Sequence, residues 1–110
     1  MDDKTFLLKV FGDYPQIKVL DFLLTYREYD YPLSEIAENA GVGWTTIHQF
    51  FPSLVEQGLV KKTRKIGRAI LYKLNVENEI VQELIDMDKI LVNYFIEKEL
   101  DTVKMKVKAK

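Results

Sequence analysis

The sequence predicts a mainly α-helical fold that carries one small β-hairpin and ends in a long helix. Three observations predict it. Residues 33–57, LSEIAENAGVGWTTIHQFFPSLVEQ, hold two short amphipathic patterns joined by a tight Gly-Val-Gly turn. Residues 59–74, LVKKTRKIGRAILYKL, alternate on either side of a turn at Ile66-Gly67, and residues 77–100 run without Gly or Pro. The first and third have the period of helices that bury one face, the second the period of a half-buried hairpin. At 110 residues the chain can bury one core but not two independent ones, so one architecture has to account for all of it.

Taken in order, Asp3 to Phe11 forms a short helix with Phe6, Leu7, Val10 and Phe11 at helical spacing, stopped by Gly12. Asp13 precedes a second helix, with Pro15 in its first turn and Ile17, Leu20, Leu23 and Leu24 as its stripe. The tyrosine-rich stretch Arg27 to Pro32 ends that helix, and Ser34 is the expected N-cap of a third, Glu35 to Ala40. Ala37 stands where the third helix must approach the fourth closely. Gly41 suits the residue after a helix, where a positive φ favours glycine. In the fourth helix, 44–57, Ile47 drops back onto the third, and Phe50, Phe51, Leu54 and Val55 face the core. Pro52 removes one backbone bond and crowds the carbonyl four residues back, at a cost of about 3 kcal/mol, so a kink near His48 is expected. That bend either separates a reading segment, 44–51, from a supporting one, 53–57, or is a tolerated irregularity on an exposed face. Gln57-Gly58-Leu59-Val60 then reads as a glycine-capped helix end passing straight into a strand.

Charge sharpens the reading. The net charge is −1, but residues 44–73 hold six Lys/Arg against one Asp/Glu, while 1–43 hold four against eight and 74–101 hold two against eight. A basic block thus lies between acidic ones, and a polyanion responds to the surface it meets rather than to the sum. The last nine residues add four lysines and no acid. Cysteine is absent and histidine occurs once, which excludes disulfides, thiolate chemistry and His-rich metal sites, so no cofactor is expected. No Gly-rich phosphate loop and no catalytically spaced carboxylate pair is visible, and the chain reads as a non-enzyme. The N-terminus lacks the pattern of a signal peptide and no long apolar run occurs, so the expected location is the cytoplasm.

Two helices in this spacing followed at once by a basic hairpin resemble the winged helix-turn-helix transcription regulators of bacteria and archaea, the broad group that includes the MarR-like and ArsR-like families. The resemblance lies in LSEIAENAGVGWTTIHQFFPSLVEQGLV and KKTRKIGRAILYKL, about 40 of the 110 residues. It implies a dimeric, sequence-specific, double-stranded DNA-binding regulator, most simply a repressor. Metal sensing of the ArsR-like kind does not carry over, because its cysteine and histidine clusters are missing here. The expected division is a DNA-binding domain at 1–75, a dimerisation helix at 76–101 and a basic flexible tail at 102–110.

The face of helix 44–57 opposite Ile47 carries Thr45, Thr46, Gln49 and Ser53, with Trp44 and His48 beside them. Short hydroxyls and one amide suit base edges and phosphates in the major groove, and the helix N-terminus offers backbone N–H groups. The alternative is an ordinary solvated face. Trp44 either stacks on a sugar-phosphate or covers the turn. On the hairpin, 61–73, Lys61, Lys62, Arg64, Lys65 and Arg68 supply charge for phosphates or the minor groove. Arg64, Lys65 and Arg68 are the first candidates and Lys62 the next.

Between Glu77 and Leu100, Ile80, Val81, Leu84, Ile85, Met87, Ile90, Leu91, Val92, Tyr94, Phe95 and Ile96 make a stripe too wide for packing on one side. A homodimer through Ile80, Leu84, Met87, Leu91, Tyr94 and Phe95, joined by residues 3–11, accounts for the excess. A monomer whose long helix is wrapped by the N-terminal segment is the alternative. Two further functions stay open at this level: a winged helix used as a protein-interaction module, and a plasmid or viral DNA-binding factor. A small-molecule effector is compatible, but no residue marks its site.

Overall fold

The computed structural model describes residues 5–108, so Asp3 and Lys110 lie outside the described residues. The order is α1 (Phe6–Phe11), α2 (Pro15–Thr25), β1 (Tyr31–Pro32), α3 (Leu33–Ala40), α4 (Trp44–Glu56), β2 (Val60–Ile66), β3 (Ala69–Leu74) and α5 (Glu79–Lys108). This is a winged helix-turn-helix: helices pack around one core, and a small antiparallel sheet ordered β1-β3-β2 closes one side. Val19, Leu23, Leu24, Ile36, Ile47, Phe51, Val60, Leu74 and Val81 form the centre, each almost wholly removed from water. They come from α2, α3, α4, the hairpin and α5, so no element buries its apolar face alone. No helix among the described residues is long and apolar enough to cross a membrane.

The helix-turn-helix follows the sequence closely. Gly41 has φ 69°, and Val42 N–H returns to Ala37 O at 2.9 Å while Gly41 N–H meets Glu38 O at 3.2 Å. These paired bonds form a Schellman turn, which satisfies carbonyls that the helix end leaves free. The same motif closes α4, where Leu59 N–H bonds Leu54 O and Gly58 N–H bonds Val55 O, with Gly58 at φ 78°. Pro52 lies inside α4 and is exposed, and helix runs on through it to Glu56. Burial of Phe51 and Leu54 on either side anchors the turn that the missing N–H weakens.

Four expectations need correction. Ser34 is not an N-cap: α3 begins one residue earlier, after Pro32, and no side chain caps it. The cause is that Tyr31 and Pro32 are not loop but an edge strand, paired with Tyr72 and Leu71, and edges tolerate proline because its absent N–H faces no partner. The hairpin turn is Gly67-Arg68 rather than Ile66-Gly67, since Ile66 pairs with Ala69. Gly67 takes φ 60° while Arg68, like every non-glycine among the described residues, does not take a positive φ, which identifies the two-residue loop with glycine first that matches strand twist. Finally, the helix that was expected to stop near Leu100 continues to Lys108, so 102–108 are helical in backbone rather than a tail.

The junction of α4 with α5 has no counterpart in the sequence reading. Asn78 Oδ1 accepts from Ile80 N–H at 2.8 Å and Val81 N–H at 3.3 Å, capping α5. Its Nδ2 donates to Gly58 O at 3.1 Å, and Asn75 Nδ2 donates to the same carbonyl at 2.9 Å. One amide therefore starts the long helix and fastens it to the end of α4. Asn78→Ala removes the cap and one partner of Gly58 O, and is expected to lower stability by about 1–2 kcal/mol in urea denaturation, with the slope of the transition unchanged.

Candidate nucleic-acid interface

Burial of Ile47, Phe51 and Leu54 fixes which way α4 faces. Thr45, Gln49 and Ser53, at four-residue spacing on the far side, are all exposed, as are Trp44 and His48, while Thr46 is half-buried. The Trp44 indole is 54% exposed and meets His48 edge-on, with ring centroids 4.3 Å apart. Phe50 and Val55, expected to face the core, are partly buried against it.

The wing is built by a register change. Lys62 pairs with Tyr72, but Arg64 pairs with Leu71, so Thr63 is an extra residue in β2. Side chains alternate along a strand, and one inserted residue moves everything after it to the opposite face. β3 shows which face is which: Leu74 is buried and Tyr72 packs edge-on against Phe51 of α4, with centroids 4.9 Å apart, so residues 70, 72 and 74 look towards the helices. Lys65 pairs with Ile70 and therefore shares that helix-facing side. Arg64 pairs with Leu71 and lies on the other. A regular strand would have exchanged the two.

Asp30, in the loop before β1, holds the displaced residues. It accepts from Arg64 Nε at 2.9 Å and Arg64 Nη2 at 3.1 Å, and from the Thr63 hydroxyl. Thr63 Oγ1 also lies 3.3 Å from Leu71 O, but a hydroxyl has a single proton, and the shorter contact to a charged oxygen takes it. The Arg64 and Thr63 hydrogen bonds hold the Asp30 carboxyl down at about 2.

The sequence-selected cations therefore divide. Lys62, Lys65 and Arg68 are exposed and form no ion pair among the described residues, whereas Arg64 is occupied by Asp30. Arg68 lies beside Trp44, His48 and Ile70 along one open groove between the first turn of α4 and β3, with Ser34 of α3 at its edge. Trp44, His48 and Arg68 are thus brought together; Ser53, two turns away, is not part of that groove. Sequence reasoning missed Asp30, Thr63, Ser34 and Ile70. Nothing local marks Asp30 as a partner for a residue 34 positions on. Ile70 was legible as an exposed apolar residue next to a basic turn.

On α5, the residues chosen for a dimer also divide. Leu84, Met87 and Leu91 pack on the chain's own core, and Phe95 stacks on Phe6 with centroids 5.0 Å apart and planes 1° from parallel. α1 is thus packed against α5 within the chain. Ile80 and Tyr94 stay 60% and 51% exposed, joined by Ile90, Ile96, Leu100 and Val103. Asp21, the buried acid of α2, lies near Asp88 of α5. Burial raises its pKa, a hydrogen bond from Thr5 opposes this, and Asp88 adds to it.

No protein-family model matches the chain, and no curated protein matches it in sequence. Two solved structures share its fold. Sso10a-2, a DNA-binding protein from Sulfolobus solfataricus, aligns at 16% identity and TM-score 0.50 over 83% of this chain and 90% of that one. A mutant of ZitR from Lactococcus lactis, in apo form, aligns at 20% identity and TM-score 0.53 over 94% of this chain and 74% of that one. At such identities the likeness is one of fold.

The Asp30 contacts predict a pH dependence. Because its folded pKa lies below the ordinary value of 3.8, the stability it contributes is complete above that value and is lost as pH falls through it towards about 2. Carboxyl carbon NMR should give Asp30 a midpoint near 2 in the intact protein, and Arg64→Ala should move that midpoint up towards 3.8.

Proposed function

We propose that this protein is a sequence-specific, double-stranded DNA-binding transcription regulator, most simply a repressor, that works as a homodimer. The observation that carries this reading is the groove in which Trp44 and His48 of α4 meet Arg68 of the wing, with Lys65 paired to Ile70 on the same side of the sheet. On this reading Thr45 and Gln49 meet base edges in the major groove. Gln49 offers the paired donor and acceptor that adenine matches, and Thr45 a hydroxyl with a methyl for thymine. Lys62, Lys65 and Arg68 neutralise phosphates from the wing, and Arg64 orders it through Asp30. Sso10a-2, which has this fold, is a DNA-binding protein, and that supports the assignment. A protein bound across a promoter blocks access by occupancy alone, so repression needs no further surface.

Pairing through α5 rests on its exposed apolar residues. Ile80, Ile90 and Tyr94 are open on its surface, and Ile96, Leu100 and Val103 continue along the helix. Thirty residues of helix span about 45 Å, long enough for two copies to lie side by side over several turns. The two reading helices would then address half-sites of a pseudo-palindrome. The same apolar surface favours a second reading, a winged helix that docks on another protein within an assembly. It is told apart by the absence of any DNA binding.

Two experiments test this. In gel-shift titrations with duplex selected from random sequence, Gln49→Ala should reduce discrimination between selected and random duplex, while Lys65→Ala with Arg68→Ala should weaken binding to both. The double variant should also flatten the plot of log affinity against log salt by about 1.8, since each phosphate contact contributes about 0.9. Retardation of no duplex at micromolar protein at low salt overturns the assignment in favour of the second reading. Sedimentation equilibrium should find a dimer that Ile90→Asp dissociates without loss of helical signal, and a monomeric parent protein rejects the pairing.

A further inference from the structure

The groove between α4 and β3 is not only basic. Its lining joins apolar surface from Trp44, Ala69 and Ile70 to polar groups from Ser34, His48 and Arg68, and it contains no carboxylate. The other surface hollows beside α2 and α5 carry Asp21, Glu35, Asp88 or Glu79. This depression is thus lined without acids on a chain whose net charge is negative. Inside it, Ile70 is 38% and Trp44 54% exposed, although an indole and a branched aliphatic chain both favour burial. His48 meets the Trp44 ring edge-on from the next turn of the helix.

Phosphate binding alone needs cations and N–H donors, not an open indole. Base reading needs side chains on the ridge of α4, which Thr45 and Gln49 already provide. What lies between a major-groove helix and a minor-groove wing is the strand that separates the two grooves, and that strand alternates a largely apolar sugar ring with an anion. We infer that this depression seats one sugar-phosphate strand of duplex DNA, a deoxyribose lying against Trp44 and Ile70 and the flanking phosphates meeting Arg68 on one side and Ser34 on the other. The inference rests on the DNA-binding reading and extends it to residues that carry no base or wing charge. Trp44 and Ile70 position the duplex and tell no sequence from another, because every nucleotide presents the same sugar. The bulge at Thr63 matters here as well, since it sets Lys65 rather than Arg64 beside Ile70, where its charge reinforces Arg68.

Trp44 is the chain's one tryptophan, so its emission reports this groove and nothing else. The test follows duplex binding by anisotropy of a labelled 20-base-pair-scale duplex, while Trp44 emission and its quenching by acrylamide are read in the same titration. Trp44 should become protected with the same midpoint as the anisotropy. Ile70→Ala and Trp44→Ala should each weaken binding to selected and random duplex alike, by about tenfold, with Trp44→Phe recovering most of the loss. Both positions are exposed, and circular dichroism of each variant checks that the fold is retained. Binding by anisotropy with Trp44 still fully open to acrylamide, or with Ile70→Ala and Trp44→Ala at parental affinity, overturns the inference and leaves the DNA reading standing. No anisotropy change with any duplex removes both.

Discussion

Burial of one stripe of α4 is the constraint on which the rest of the molecule depends. Ile47, Phe51 and Leu54 are inserted among Val19, Leu23, Ile36 and Val81, and in a close-packed core such a stripe has one rotational setting. With that rotation fixed, Thr45, Gln49 and Ser53 have only the solvent side to occupy, and Trp44 is delivered to the edge of the sheet. The Phe51 contact with Tyr72 carries the same constraint into β3, so helix and wing are registered to each other through a shared aromatic pair. Replacing the exposed residues therefore leaves the frame intact, whereas disturbing the stripe would turn the whole surface.

The wing obeys a second, smaller constraint. One unpaired residue in β2 decides which of two neighbouring cations looks towards α4 and which looks away. The Asp30 carboxylate stabilises that choice by binding Thr63 and Arg64 together, at a place where the loop before β1 comes alongside the hairpin. Surface ion pairs contribute little to stability when isolated. Here the pair's consequence is directional: it consumes the charge of one arginine and leaves Lys65 and Arg68 open.

α5 serves two ends of the molecule. Its first half is bound to the core by Val81, Leu84 and Ile85 and to α4 through the Asn78 amide. Past Phe95, which stacks on Phe6, Ile96, Leu100 and Val103 are largely exposed.

Sequence alone makes the helix-turn-helix, the hairpin and the long helix legible, because each is written in local terms. Gly41 and Gly58 carry the positive φ that ends a helix, Ile47, Phe51 and Leu54 keep helical period, and Gly67 marks the tight loop. It also gave most of the exposed candidates, since a residue opposite a strong stripe has one place to go. It did not give β1, the bulge at Thr63, the Asp30 pairing or the Asn78 tie. Each of these joins residues far apart in the chain, and its energy exists only once the partners have been brought together. Arg64 and Lys65 are adjacent cations in the sequence; folding ties one to Asp30 and sets the other on the side of the sheet that faces the helices. The physical reason is that strand faces alternate residue by residue, so a single insertion, invisible in composition or period, reverses every assignment beyond it.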